Sequence, residues 1–343
     1  MGMIRVLVVD DSLFMRKVIS DLLSSDPQIS VVGTARNGID ALDSIPKLKP
    51  DVITLDIEMP QMDGLTALRE IMNTNPTPVI MLSALTQEGA EQTFEALDNG
   101  AVDYLPKPSG TISLNMKSVR HILLNKVKTA ANAHLNPFLN SPSRPKIRRM
   151  VAQTLSNTDK VISIGASTGG PRALSEVLSQ LPKSIPPIMI VQHMPEFFTK
   201  PFAERLDKLC TFNVKEASEM DRMEEGQALL APGDFHMMVT KNERIHLHKG
   251  PAIFFLRPTV DELMVSAAKV FGKRNLGVIL TGMGSDGAKG MRAIKDSGGE
   301  TIAQNEATCV VFGMPKVAIE QGSVDVVLPL NKIPHEMIRR CKA

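Results

Sequence analysis

Residues 161–178 read VISIGASTGGPRALSEVL: a short apolar run, a glycine-rich turn with a serine at its centre, then apolar residues at helical spacing. A turn of this composition can cradle a phosphate, raise a nucleophile or simply reverse the chain. Gly165-Ala166-Ser167-Thr168-Gly169 fits G-x-S-x-G between a strand and a helix, the context in which that pattern lifts a serine clear of a sheet edge. A helix opening at Pro171 aims its free amides at the same place. A serine hydroxyl attacks only when a base takes its proton. Of the seven histidines, His193 is the one that directly follows an apolar run of buried-strand type, PIMIVQ (187–192). Asp286, in LGVILTGMGSDGAKGM, follows another such run and supplies a carboxylate able to orient the imidazole. His246 and His248, in RIHLHKG, share one face of a strand but lack spaced partner ligands, which fits a polar surface strand better than a metal site.

A second set of reactive residues lies in the first third of the chain. Asp10 and Asp11 follow IRVLVV, Asp56 follows DVITL, Ser83 follows PVIML, and Lys107 sits in YLPKP after AVDYL. Three carboxylates brought together repel one another unless a hard divalent cation such as Mg2+ takes their oxygens as ligands. A carboxylate beside that cation can attack a phosphoryl group, with Ser83 and Lys107 offering a hydroxyl and a fixed positive charge to its oxygens. Strand-end Asp and Ser are also common turn formers. Five such residues in register favour chemistry over turn formation.

One rival for the second half is Gly282-Met283-Gly284-Ser285-Asp286-Gly287, which fits G-x-G-x-x-G, with Glu306 near the distance where a dinucleotide site holds its ribose. An NAD-linked oxidoreductase on that loop leaves Ser167 and His193 unused. A third reading is a non-enzymatic phospho-switch that only binds. The chain order Ser, His, Asp also departs from the Ser, Asp, His of the α/β-hydrolases.

The elements that must position these residues follow from the apolar pattern. From residue 4 to about 128, five short apolar runs alternate with amphipathic helical stretches such as LFMRKVISDLL, which implies a parallel sheet covered on both faces. In such a sheet the chemistry collects at the carboxyl ends of the strands. Residues 126–159 lose this rhythm and gather Asn, Ser, Pro and basic residues, the composition of a linker. From residue 160 the α/β pattern resumes. The expected organisation is therefore a five-stranded α/β domain over 1–125, a linker over 126–159, and a second, mainly parallel α/β domain over 160–343. A length of 343 residues suits two domains, and 43% hydrophobic residues suffice for their cores. A net charge of +2 with 22% charged residues demands neither nucleic acid nor a membrane surface, and no basic recognition helix stands out. Cys210, Cys309 and Cys341 are far apart and odd in number, as in a reducing compartment. The opening MGMIRVLVVDD reads as neither a signal peptide nor a myristoylation site, and no apolar run approaches the ~20 residues of a membrane span. The expected location is the cytoplasm.

LVVDDS, TLDIEMPQMDGL, MLSA and YLPKP together resemble a response-regulator receiver domain over roughly residues 3–125. That resemblance implies a flavodoxin-like (βα)5 fold, phosphorylation of Asp56 by a histidine kinase, and Mg2+ held by Asp10 and Asp11 with Asp56. It also implies that Ser83 and Lys107 sense the phosphoryl group and that Tyr104 is the switch aromatic. GASTGGP, QHMP followed by FAERL, and TGMGSDGAKGM resemble the catalytic domain of the chemotaxis methylesterases of the CheB type. What this second resemblance implies is hydrolysis of glutamate 5-methyl esters on chemoreceptors, with release of methanol, and deamidation of receptor glutamines. Ser167 would be the nucleophile, His193 the base and Asp286 its orienting carboxylate, with oxyanion donors at Thr168 and Met283 and no cofactor for the ester chemistry. The receiver is expected to restrain the esterase until Asp56 is phosphorylated.

Overall fold

The computed structural model describes residues 2–107, 116–135, 159–253 and 256–342. The chain divides into two units, Met1–Arg144 and Pro145–Ala343. In the first, β1 (Ile4–Val9), β2 (Ile29–Ala35), β3 (Val52–Asp56), β4 (Val79–Ser83) and β5 (Asp103–Pro106) form a parallel sheet of order β2-β1-β3-β4-β5. The runs lack polar alternation because both faces are covered: Val6 to Val9, Ile53, Leu55 and Ile80 to Leu82 are fully buried. Helix α1 (Leu13–Ser24) packs on α5 (Met116–Ala130), while α3 (Gly64–Thr74) packs on both α2 (Gly38–Leu48) and α4 (Gln87–Asp98). Short polar side chains start these helices: the Asp63 carboxylate accepts from Thr66 N at 2.8 Å and Asn37 Oδ1 from Asp40 N at 2.8 Å.

The second unit holds a seven-stranded parallel sheet of order β14-β13-β12-β6-β7-β9-β8. Its strands are β6 (Val161–Ala166), β7 (Ile188–Gln192), β8 (Asn213–Glu216), β9 (Gln227–Leu230), β12 (Asn275–Ile279), β13 (Glu300–Gln304) and β14 (Val326–Leu328). A separate antiparallel hairpin joins β10 (His236–Val239) to β11 (Ile245–His248). Helices α6 (Gly170–Leu178), α7 (Glu196–Leu209) and α11 (Ile333–Cys341) form one packed group; α8 (Val260–Phe271), α9 (Ala288–Asp296) and α10 (Met314–Glu320) form the other. Leu263, Met264, Ala267 and Phe271 of α8 join Met189, Val191, Ile279, Met291 and Ile294 in one buried cluster. From β6 the chain winds outward through β7, then returns to place β12 on the other side of β6. The strand order therefore reverses between β6 and β12, the point at which a doubly wound sheet opens a crevice at its carboxyl edge.

The elements depart from the sequence expectation in a few places. α5 runs to Ala130, five residues into the stretch expected to be linker, because Val127 and Ala130 continue the buried face of Leu123. Most of the remaining linker expectation, residues 136–158, lies outside the described residues. β8 was not expected: it is a four-residue edge strand with only Val214 buried.

Candidate active site and phosphoacceptor site

Three adjacent strands, β12, β6 and β7, bring the expected catalytic residues to one edge. β6 ends at Ala166, paired with Gln192 at the end of β7, so Ser167 and His193 are the next residues on neighbouring strands, which lie about 4.8 Å apart. His193 N donates to Ala166 O at 3.1 Å, which carries the strand pairing one step further. On the other side of β6, the chain leaving β12 folds over the serine: Ser167 N donates to Thr281 O at 3.0 Å, and Thr281 Oγ1 to Thr168 O at 3.0 Å. The approach is close enough that a Cβ on Gly282 would lie 2.7 Å from Ser167 Cβ and 2.3 Å from Met314 Sδ. Gly169 has φ +76°, the left-handed backbone that lets the turn reverse directly into α6. The glycine-rich stretch is thus a strand-to-helix turn presenting a half-buried serine.

His193 Nε2 lies 2.7 Å from Asp286 Oδ2, although the two residues are 93 positions apart. Their side chains are 6% and 9% exposed. Because the carboxylate can only accept, Nε2 is the donor of this pair, which leaves Nδ1 as the nitrogen available to take a proton. Asp286 is itself held by backbone amides: Oδ2 accepts from Val260 N at 2.7 Å, and Oδ1 from Asp261 N and Gly287 N at 3.0 Å each. Val260 and Asp261 open α8, so the carboxylate caps a helix N-terminus where the aligned peptide dipoles favour negative charge. Burial pushes the Asp286 carboxyl up, but its hydrogen bond and charge interaction with His193 and the amide bonds outweigh that, and its pKa stays below the ordinary 3.8. The neighbouring Asp261 goes the other way, raised chiefly by burial although it accepts from Gly290 N at 2.8 Å.

In the first unit the carboxyl ends of β1, β3, β4 and β5 carry the other expected cluster. Asp10, Asp11 and Asp56 each offer an oxygen within 4.8 Å of the others, a donor set of hard oxygens suited to Mg2+. Lys107 Nζ lies 2.6 Å from Asp56 Oδ2 and 3.2 Å from Asp10 Oδ2. Burial raises the Asp56 carboxyl to about 6, against the lowering pull of Lys107; the same two carboxylates outweigh burial at Lys107 and raise its pKa. Ser83 is fully buried, with Oγ 3.0 Å from Gly89 O and 2.8 Å from Thr93 Oγ1. Tyr104 is 4% exposed, with the Lys126 ammonium 5.6 Å from its ring centre, and burial drives its hydroxyl pKa well above 10.

Residues 162–337 match the family model of the CheB methylesterase, and residues 6–117 match that of the response regulator receiver domain. The chain belongs to the CheB methylesterase family. A protein-glutamate methylesterase/protein-glutamine glutaminase from Pyrococcus abyssi is 50% identical, the alignment covering 98% of this chain and 93% of that one. The protein of the same name from Escherichia coli O157:H7 is 46% identical over 100% of this chain and 98% of its own. Among solved structures, the Thermotoga maritima CheB methylesterase catalytic domain superposes with a TM-score of 0.52 at 45% identity, covering 53% of this chain and 99% of that domain. Chains of this CheB type couple a receiver to an α/β catalytic domain, and the fold described above has both parts.

Family membership leaves the nicotinamide reading of the 282–287 loop without support, and the geometry gives that loop another task, since its Asp286 pairs with His193. Of the expected oxyanion residues, Thr168 is buried in the serine turn and Met283 is 44% exposed beside it, directly after Gly282. Sequence reasoning missed two groups. One is the pair of α8 amides that holds Asp286. The other is Gln192, 2% exposed, whose Nε2 lies 3.0 Å from Ser167 O and 3.1 Å from His193 O. The signal for Gln192 was present, a polar residue closing the apolar run IMIVQ, but nothing in the linear sequence says which way it points.

Proposed function

We propose that this chain hydrolyses glutamate 5-methyl esters of chemoreceptors and deamidates receptor glutamines in the cytoplasm, under control of phosphorylation at Asp56. The observation that carries the proposal is the 2.7 Å His193–Asp286 pair on the strand next to the Ser167 turn. Ser167 Oγ attacks the ester carbonyl carbon while His193 Nδ1 takes the hydroxyl proton. The C=O π electrons move onto oxygen, and the amides of Thr168 and Met283 would hold that oxyanion. When the C–OCH3 bond breaks, His193 returns the proton to the departing methoxide, giving methanol and a glutamyl ester on Ser167. Water then enters: His193 takes one of its protons, hydroxide adds to the acyl carbon, and the proton returns to Ser167 Oγ as the free glutamate leaves. Asp286 stays ionised throughout and stabilises the imidazolium formed in each half. An amide substrate follows the same steps with ammonia as the leaving group.

The receiver cluster suits phosphoryl transfer from a histidine kinase partner to Asp56. Asp10, Asp11 and Asp56 would hold Mg2+, which when bound offsets the charge of the incoming phosphoryl oxygens. Lys107 offers a fixed ammonium to the same oxygens, and Ser83 would exchange its present partners for one of them. A chain beginning at residue 146 is expected to turn over faster than the unphosphorylated whole; equal rates would remove the restraining role assigned to the receiver.

The test is methanol release and ammonia release from methylated receptor membranes by wild type and Ser167→Ala. Both activities should depend on Ser167. Release unaffected by the substitution would overturn the assigned nucleophile, and no release by wild type would leave the binding switch as the function.

A further inference from the structure

We propose that Gln192 is a positioning residue: a single buried carboxamide that locks the nucleophile turn to the base. The inference rests on the reading of Ser167 as nucleophile and His193 as base. Gln192 ends β7 with its side chain 2% exposed. A carboxamide nitrogen has two N–H donors, and both are used here, one on Ser167 O at 3.0 Å and one on His193 O at 3.1 Å. Those carbonyls belong to the two residues whose side chains must meet for proton transfer. Ser167 O also accepts from Gly170 N at 2.7 Å, and His193 N donates to Ala166 O at 3.1 Å. Segments 166–170 and 192–193 are therefore laced together, with Gln192 as the only side chain bridging both carbonyls among the described residues.

Two further observations separate this arrangement from ordinary core packing. Gln192 Oε1 is buried and finds no hydrogen-bond partner among the described residues, a feature that packing alone disfavours. Gly170 makes the space for it: a Cβ there would stand 2.0 Å from Oε1 and 3.0 Å from Cδ of Gln192. No other side chain of this length does the task. Glutamate has no donor to offer two carbonyls, methionine has none either, and lysine would bury a charge. Because Gln192 is out of reach of solvent, its loss should leave substrate binding alone and disturb only the alignment of the reacting groups, where displacements of an ångström are costly.

The experiment uses the full chain and methylated receptor membranes. Gln192→Met is expected to lower kcat for methanol release about 100-fold, with KM unchanged. Native-state hydrogen exchange should quicken in segments 166–170 and 192–194 and stay as in wild type in β12 and β13. Wild-type kcat or unchanged exchange in Gln192→Met would overturn the proposal. If Ser167→Ala still releases methanol, the reading of the site fails instead, and the exchange data decide separately whether Gln192 braces the two segments.

Discussion

The two units place carboxylates by the same rule and then treat them in opposite ways. Asp56 and Asp286 both lie at the carboxyl edge of a parallel sheet beside the strand that starts its fold. Around Asp56 stand two more carboxylates and one ammonium, and burial raises its pKa to about 6. Around Asp286 stand three backbone amides and an imidazole N–H, and its pKa falls below 3.8 despite burial. The first site keeps excess negative charge and so has a place for a divalent cation and a phosphoryl group. The second satisfies its carboxylate internally and so fixes an imidazole. Strand topology delivers a carboxylate to a crevice; the donors that neighbouring elements supply decide what it does there.

The largest expected effect separates the two sites by their reactions. Ser167→Ala should lower the methanol release rate by about 10^6-fold, the scale seen when a serine nucleophile is removed. Asp286→Asn should lower kcat by about 10^4-fold, since an amide no longer fixes the working tautomer of His193. The same substitution replaces one of the two oxygens that cap α8 and removes their negative charge, and should lower the melting temperature at pH 7. Because the folded pKa of Asp286 is depressed, its stabilising effect is present above the unfolded pKa near 3.8 and is lost as pH falls through the folded value. The melting-temperature gap between wild type and Asp286→Asn should therefore narrow below pH 4; a gap that widens there would contradict the charge assigned to this carboxylate.

Asp56→Asn probes the other side of the comparison. It should abolish phosphate incorporation from a small-molecule phosphodonor with Mg2+, and with it any rise in methanol release caused by that donor. Incorporation at wild-type stoichiometry would move the phosphoacceptor elsewhere. The smallest effect concerns the cysteines, which belong to neither site. Burial raises Cys210 and Cys341 to about 12 and Cys309 higher still, so few thiolates exist at pH 8. Iodoacetamide on the native protein at that pH should leave the rate of methanol release unchanged, as measured before and after treatment.

Much of this was legible in the sequence because it is written in strand ends. Ser167, His193 and Asp286 each follow an apolar run, and Asp10, Asp56, Ser83 and Lys107 do the same in the first unit. What could not be read is the lateral order of the strands and the partners across it. Nothing in the linear chain says that β12 lies beside β6, so the meeting of residues 193 and 286 rested on their strand-end placement, on the need of a histidine base for an orienting carboxylate and on the family resemblance. The α8 amides that hold Asp286 were invisible for the same reason, since backbone groups leave no mark in residue identity. Strand boundaries shifted where Asp56 and Ser83 continue the ladder as buried polar residues, which an apolar count excludes.

The most direct test of the central claim is to treat the protein with a fluorophosphonate and locate the adduct by mass spectrometry, in wild type and in His193→Ala. The account predicts one modified residue, Ser167, and labelling slower by about 100-fold or more without the imidazole. No adduct on Ser167, or equal labelling in both proteins, would contradict a serine activated by the His193–Asp286 pair.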